Sequence, residues 1–378
     1  INTQGSGTCT IEATGFGLGK SNQSTTNYVW IDGHITNVLP ASGPVGTVVT
    51  VTGDGFGRNE IIPIDFGKTA GITNASVSEF GTFTCVFTVN TQSIGTTTIL
   101  AAGSLTKDDE IFRITTGIAT ISPVNGTVGT LVSIAGGGYQ ADELIRISFG
   151  QTMTINTCVA DNNGWINGSF TVDEQVYGYK TVTATGIISN SAGNIGFSIL
   201  QNLTYVTPTS GTVGRVITVY GNGYNAGQLS LKFGDTPVIE IGNTTNDGTF
   251  AITFTINTQV YGTTTIQATD SKGKQDTDVV KILPHITMVS PAIGSVGTMV
   301  TIRGDGYANS ELIRVALGWT QTITAITASD HGSFSTTFTV DIQPSGTASV
   351  VAYGTSDEAN HQEHDLFRIR GEITLVSP

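Results

Sequence analysis

Basic residues are scarce in this sequence: 16 Lys and Arg stand against 29 Asp and Glu, a formal net charge of -13. Neutralising nucleic-acid phosphates takes clustered Lys and Arg, and none cluster here, so nucleic acid is excluded as a partner. Long apolar runs are missing as well. No stretch approaches the roughly 20 apolar residues that span a bilayer, and neither an initiator Met nor a basic and apolar leader opens the chain. Ile1 is therefore expected to lie inside a longer chain, with any membrane anchor beyond this segment. Cysteine is rare too: Cys9, Cys85 and Cys158 are odd in number and sit at unrelated repeat positions, which argues against a disulfide framework. In GTFTCVFTV, Cys85 shares a strand face with Phe83, Phe87 and Val89 and reads as a small core residue, not a redox or catalytic thiol.

Glycine is abundant, 48 of 378 residues, and much of it falls in a phrase that keeps returning. PASGPVGT (40–47), PVNGTVGT (123–130), PTSGTVGR (208–215) and PAIGSVGT (291–298) are near copies, and Pro378 stands where a fifth would open. The prolines Pro40, Pro123, Pro208, Pro291 and Pro378 are spaced by 83, 85, 83 and 87 residues, a period that suits one small β domain better than a solenoid unit of about 20 to 50 residues.

Each repeat follows one script. An alternating strand such as ITNVLP or IATISP runs into the proline turn, and a second alternating strand ends in Gly, a variable residue, Gly and an aromatic: VTVTGDGF, VSIAGGGY, ITVYGNGY, VTIRGDGY. A short strand closing on glycine follows (IDFG, ISFG, LKFG, VALG), then a long strand of the GTFTCVFTVNTQ type. A turn at Gly95, Gly178, Gly262 or Gly346 leads to two last strands. Apolar residues recur every second position, which places them on one face of a pleated strand, and no helical period survives. About seven short strands per repeat is the pattern of a two-sheet antiparallel sandwich.

The expected organisation is therefore all-β: the last strands of a truncated domain at 1–33, complete domains at 34–116, 117–201, 202–284 and 285–371, and the first strand of a further one at 372–378. INTQ at the start matches Ile256 to Gln259, in line with that truncation. Connections such as Thr115, Thr116 and Gly117 are too short for flexible linkers. With a rise of about 3.3 Å per strand residue, each sandwich would be roughly 35 Å long and the four together an elongated rod of roughly 140 Å.

The run from the strand-ending proline, through the paired glycines, to the G-x-G-aromatic turn and the FG-closing strand resembles the IPT/TIG family of immunoglobulin-like domains. It rests on Pro40, Gly43, Gly46, Gly53, Gly55, Phe56, Phe66 and Gly67 and on their counterparts in the later repeats, and it covers nearly the whole chain. The resemblance implies tandem immunoglobulin-like β-sandwiches; the paired Cys around a buried Trp of antibody domains are missing. Such domains serve as spacers and binding modules on extracellular proteins and as dimerisation modules in some transcription factors, and the acidic balance speaks against the latter. Long arrays rich in Thr and Gly resemble prokaryotic surface proteins, S-layer proteins and large adhesins. What this implies is a non-enzymatic structural protein of the extracellular cell surface. It would be a spacer in a self-assembling S-layer lattice that contacts copies of itself; the alternative is an adhesin stalk or a module that binds cell-envelope glycans.

Candidate sites each have a bland reading beside the sharp one. GDGFG (53–57) could cradle a phosphate, but a strand rather than a helix follows it, so a structural turn is expected. Arg303-Gly304-Asp305 spells an integrin-binding tripeptide, yet its register makes it the turn after the second strand. Asp54 and Asp305, with Glu60, Asp142, Glu143 and Glu311, lie near sandwich ends where carboxylates and carbonyls would hold Ca²⁺; the competing reading is solvated loop acids, with Asn222 and Gln228 replacing them in the third repeat. His361, Glu363 and His364 form the only histidine cluster, expected in an exposed loop. Asp330 and His331 have no serine nucleophile at an elbow. Trp30, Trp165 and Trp319 occupy non-equivalent positions and would be core or packing residues, or an aromatic platform for glycans. Glycosylation sequons stand at Asn22, Asn74, Asn125, Asn167, Asn202 and Asn243.

Overall fold

The computed structural model describes residues 3–15, 23–355 and 362–372. The chain divides into two compact units, Ile1–Val172 with Tyr179–Ser198, and Asp173–Gly178 with Ile199–Pro378. All its described regular structure is β, and every complete repeat folds the same way. In the first, His34–Leu39, Val48–Asp54 and Phe83–Thr88 form a three-stranded sheet. Against it lies a five-stranded sheet in the order Ser42–Gly43, Lys107–Ile114, Gly95–Ala102, Ile61–Phe66, Thr69–Ser76. The other three repeats give the same three-plus-five arrangement, so the chain is a tandem array of immunoglobulin-like antiparallel sandwiches.

Period-two patterning explains the packing. Val49 and Val51 of the second strand and Phe83, Cys85 and Phe87 of the strand beside it are buried, while the residues between them are not. Facing them, Phe66 packs tilted on Phe87 with ring centroids 5.0 Å apart and edge-on to Phe112 at 5.6 Å. In the third repeat Ile252 takes the place of Cys85, opposite Val219 as Cys85 is opposite Val51. Burial also pushes the Cys85 thiol up to about 11, so it carries no thiolate near neutrality.

The proline corner does more than end a strand. The bonds before Pro40, Pro123, Pro208 and Pro291 are cis, and the chain leaves the three-stranded sheet there. It then adds a two-residue strand to the other sheet, parallel to the last strand: Ser42 pairs with Arg113 and Gly43 with Ile114. Proline suits this position because it has no N–H to give to a ladder. The first strand thus belongs to one sheet and its continuation to the other, stitching the sandwich. Gly46, at φ 92°, then turns the chain into Val48–Asp54 while its N–H bonds the Val89 carbonyl at 2.8 Å.

The script read from the sequence lacks two strands, the two-residue Ser42–Gly43 and Thr69–Ser76. Thr69–Ser76 pairs only with Ile61–Phe66 at the sheet edge, and its burial does not alternate cleanly. The expected long strand through Gln92 is regular only over Phe83–Thr88. Ahead of the first complete repeat, Gly7–Gly15 pairs with Gln23–Ile31 so that Gly7 faces Ile31, the register in which Gly95 faces Ile114.

Replacing Phe66 by Ala removes a side chain that bridges the two sheets. The expected loss is about 3 to 5 kcal/mol in that sandwich, visible in urea denaturation as an early transition separated from the main one. A superimposable unfolding curve would contradict this account of the core.

Candidate functional site

The G-x-G-aromatic turn, expected to be a local structural feature, is the seat on which the preceding segment docks. After Val48–Asp54, Gly55 at φ 72° reverses the chain and the Phe56 ring plugs the sandwich end, edge-on to Phe83 at 5.2 Å. Tyr139, Tyr224 and Tyr307 fill the same position and are fully buried. The N–H of each aromatic bonds the carbonyl of a turn glycine in its own sandwich: Phe56 to Gly81 at 3.1 Å, Tyr139 to Gly164 at 3.1 Å, Tyr224 to Gly248 at 3.0 Å and Tyr307 to Gly332 at 3.0 Å.

In the first, second and fourth repeats its carbonyl receives a neighbour's N–H. In the first unit the Ser6 N–H bonds the Phe56 carbonyl at 3.0 Å and the Ile94 N–H the Tyr139 carbonyl at 3.4 Å; in the second, the Tyr261 N–H bonds the Tyr307 carbonyl at 2.9 Å. These donors are equivalent, each standing just before the glycine that opens the strand pairing with the last one. Beside the bond, backbone meets backbone. A Cβ on Gly81 would stand 2.6 Å from the Gly5 Cα, and one on Gly164, Gly248 or Gly332 would stand 3.1, 3.0 and 3.1 Å from the Cα of Ser93, Val176 and Val260. Gly164 also sits at φ 73°, with the Tyr139 carbonyl oxygen 2.1 Å from where its Cβ would be. Only glycine allows both the turn and the approach.

Next to each seat is a carboxylate, and here the reading of Glu60, Glu143 and Glu311 as solvated loop acids is corrected. Glu143 and Glu311 are buried. Glu143 accepts the Gln140 N–H at 2.8 Å, the Ser189 N–H at 3.0 Å and the Ser189 hydroxyl at 2.8 Å, tying the loop after the aromatic to the loop across the sheet. Glu60 does the same with the N–H of Gly57 at 2.8 Å, the N–H of Ser104 at 3.0 Å and the Ser104 hydroxyl at 2.7 Å. Oxygens so engaged would have to give up these bonds to ligate Ca²⁺. Asp142, at φ 58°, is exposed.

The third repeat makes the same tie from the other side. Its loop is one residue shorter, so the structural counterpart of Glu60 is Gly227, not Gln228. The glycines opposite the other carboxylates, Gly103, Gly186 and Gly354, are replaced by Asp270. A Cβ on those glycines would fall within 2.1 to 2.7 Å of a glutamate oxygen. Asp270 accepts the Asn225 N–H at 3.0 Å and the N–H groups of Lys272 and Lys274 at 2.9 Å each. The carboxylate thus comes from the facing loop in this repeat, and a Cβ on Gly227 would meet nothing within 4 Å.

Burial pushes the Glu60, Glu143 and Asp270 carboxyls up, but hydrogen bonds from Ser104 and Gly57, from Ser189, Gln140 and Ile188, and from Asn225, Lys274 and Lys272 outweigh it and hold all three below their ordinary values. A carboxyl depressed by folding contributes stability that is present above its unfolded value and lost as pH falls through the folded one. Stability is therefore expected to hold down to about the ordinary glutamate value of 4.5 and to decline below it. Glu143→Gln should flatten that acid limb and lower stability at neutral pH, read from thermal midpoints over a pH series.

The remaining candidates scatter. Asp54 and Asp305 end their second strands opposite His34 and His285, positions taken by Gly137 and Asn222 in the other repeats. Burial raises the Asp305 carboxyl above its ordinary value, and the nearby His285 offsets only part of that rise. Among the described residues no three His, Cys, Asp or Glu side chains gather as a metal site. Arg303, Gly304 and Asp305 are the last strand residues rather than a turn, with Gly304 paired to Phe334. Glu363 and His364 also lie in a strand, Gln362–Ile369, not a loop, and as neighbours they point to opposite sheet faces; His361 lies outside the described residues. Asp330 and His331 occupy an exposed turn.

Trp165 is half-buried and lies with Val45 over Gly137. Trp319, expected to pack, is 80% exposed at a hairpin tip, and Trp30 is 55% exposed. A feature unread in the sequence is the stack of Tyr205 on Tyr220, centroids 4.2 Å apart, on the outer face of the third repeat's three-stranded sheet. The sequons at Asn74, Asn125, Asn167 and Asn243 are exposed, Asn202 is half-buried, and Asn22 lies outside the described residues.

No family model matches this chain, and no curated protein matches it. Among solved structures it is similar to invasin, a bacterial integrin-binding protein, at 13% identity over 90% of this chain and 79% of that one, with a TM-score of 0.24. It is also similar to the eight N-terminal Ig domains of Down syndrome cell adhesion molecule (14% identity, 96% and 51% covered, TM-score 0.19) and to the ICAM-5 D1–D4 ectodomain fragment (10%, 90% and 100%, TM-score 0.21). The chain spans 33% of the length of the E. coli alpha-2-macroglobulin that it also matches.

Proposed function

We propose that this chain is a segment of an extracellular, cell-surface structural protein whose sandwiches act as a rigid spacer. The observation that carries the proposal is the seat: an aromatic carbonyl and a turn glycine, repeated at equivalent positions, join consecutive segments by backbone contacts. Short, backbone-to-backbone joints favour stiffness over free pivoting. The finer reading is a subunit of an S-layer lattice built from IPT/TIG-type domains and resembling the surface-layer glycoprotein of anammox bacteria. Lateral contacts with copies of itself would make the lattice, and the net charge of -13 would keep the subunit soluble until assembly. Exposed acids leave Ca²⁺ a role in assembly, separate from the engaged Glu60 and Glu143. No catalytic residue is assigned.

The rod expected from the sequence is part of this proposal, and small-angle scattering of the chain tests it. Scattering from a compact particle, or from modules that reorient freely, would overturn the spacer. In electron microscopy of the assembled protein, a lattice that loosens on chelation supports the calcium role and one indifferent to a chelator removes it.

A second reading, an adhesin stalk or glycan-binding module, is favoured by the solvent-facing Trp319 and by Tyr205, 52% exposed and stacked on Tyr220. Aromatic faces of this kind suit the apolar face of a sugar ring. Binding of an envelope glycan that is lost in Trp319→Ala or Tyr205→Ala would move the conclusion to this reading; a glycan screen without hits leaves the spacer.

A further inference from the structure

The carboxylates beside the seats hold the very peptide group that the junctions use. In the second repeat, the peptide joining Tyr139 to Gln140 gives its N–H to Glu143 Oε1 at 2.8 Å, and its carbonyl accepts the Ile94 N–H at 3.4 Å. In the first, the peptide joining Phe56 to Gly57 gives its N–H to Glu60 Oε1 at 2.8 Å and accepts the Ser6 N–H at 3.0 Å. In the fourth, the peptide joining Tyr307 to Ala308 gives its N–H to Glu311 Oε2 at 2.9 Å and accepts the Tyr261 N–H at 2.9 Å. Asp270 holds the corresponding N–H, that of Asn225, in the third.

A peptide group is planar, so fixing the direction of its N–H fixes the direction of its carbonyl. An ionised acceptor makes the stronger hydrogen bond, and hydrogen bonds in a chain polarise one another, which makes that carbonyl a better acceptor. We propose that Glu60, Glu143 and Glu311 are positioning residues of the junctions, each aiming through one peptide plane the carbonyl that receives the preceding segment. Glu60 and Glu143 accept hydrogen bonds from loops of their own sandwich, so the action on the preceding segment runs through the peptide. This deepens the spacer reading and rests on it.

The third repeat shows that a carboxylate on the facing loop can hold the same peptide N–H. Gly186 has no left-handed φ, and the atoms nearest a Cβ there are the Glu143 carboxylate oxygens and the Ser189 hydroxyl, so removing the Glu143 carboxylate leaves room for a carboxylate on that loop, where the third repeat has Asp270. Amide hydrogen exchange in the whole chain reads the junction at Ile94 and the sandwich core at Ile147 and Val182. In Glu143→Ala the Ile94 amide is expected to exchange roughly fivefold faster, as weakening of one ordinary hydrogen bond implies, while the core amides keep their rates. Where alanine also unsettles the core, the pair Glu143→Gly with Gly186→Asp decides: protection returns at Ile94 if the carboxylate is what positions the peptide. Unchanged Ile94 exchange in the alanine variant, or a paired variant that leaves Ile94 as fast as alanine does, overturns the proposal. Scattering by the unsubstituted chain tests the spacer reading separately, so the two can fail independently.

Discussion

Everything distinctive in this chain depends on backbone approaching backbone at the sandwich ends. A Cβ on a turn glycine, Gly81, Gly164, Gly248 or Gly332, would stand 2.6 to 3.1 Å from the Cα of a residue in the preceding segment, tighter than ordinary contact. The same glycine adopts a left-handed φ and offers its carbonyl to the aromatic that seals the core. One residue thus satisfies a turn, a hydrogen bond inside the sandwich and a contact outside it, and each demand alone disfavours a Cβ. Such a contact has few soft rotamers to absorb motion, and that is why the joints carry the structural reading.

The carboxylate that braces each seat shows how strongly the local geometry is specified. Three repeats place Glu on one loop and Gly on the facing one; the third places Gly at 227 and Asp at 270. The gap accommodates one carboxylate, and the shorter reach of Asp suits the loop whose own N–H groups, at Lys272 and Lys274, it binds. A buried carboxylate is tolerated because several N–H and O–H groups converge on it; unpaired, it would cost several kcal/mol in so dry a place. That is a reason to see these acids as architecture, although their sequence neighbourhood looks like that of solvated loops.

Much of the fold was legible in the sequence. The recurrence of Pro40, Pro123, Pro208 and Pro291 set the period, and alternation in VTVTG and FTCVFT identified core strands, because a half-buried strand writes its burial directly into every second residue. Thr69–Ser76 was not legible, since an edge strand packs little and so leaves little pattern. The candidate site was half visible. The G-x-G-aromatic phrase stood out, but a glycine needed for a turn and a glycine needed for a neighbour look alike in sequence. The buried Glu143 and the exposed Asp142 are adjacent letters, and only their loop conformation separates them.

By itself, then, the sequence determined that this is an all-β array of immunoglobulin-like repeats with a negative surface and paired-glycine turns, because strand periodicity, repeat spacing and net charge are properties of the chain read in order. Tertiary structure decided what the repeats do to one another: which carbonyl receives the Ile94 N–H, which acid is buried, which tryptophan faces solvent, and that Asp270 stands in for the missing Glu. The physical reason is that these contacts join residues about 45 to 75 positions apart, largely through backbone atoms, and backbone atoms are the same whatever the letters of the sequence.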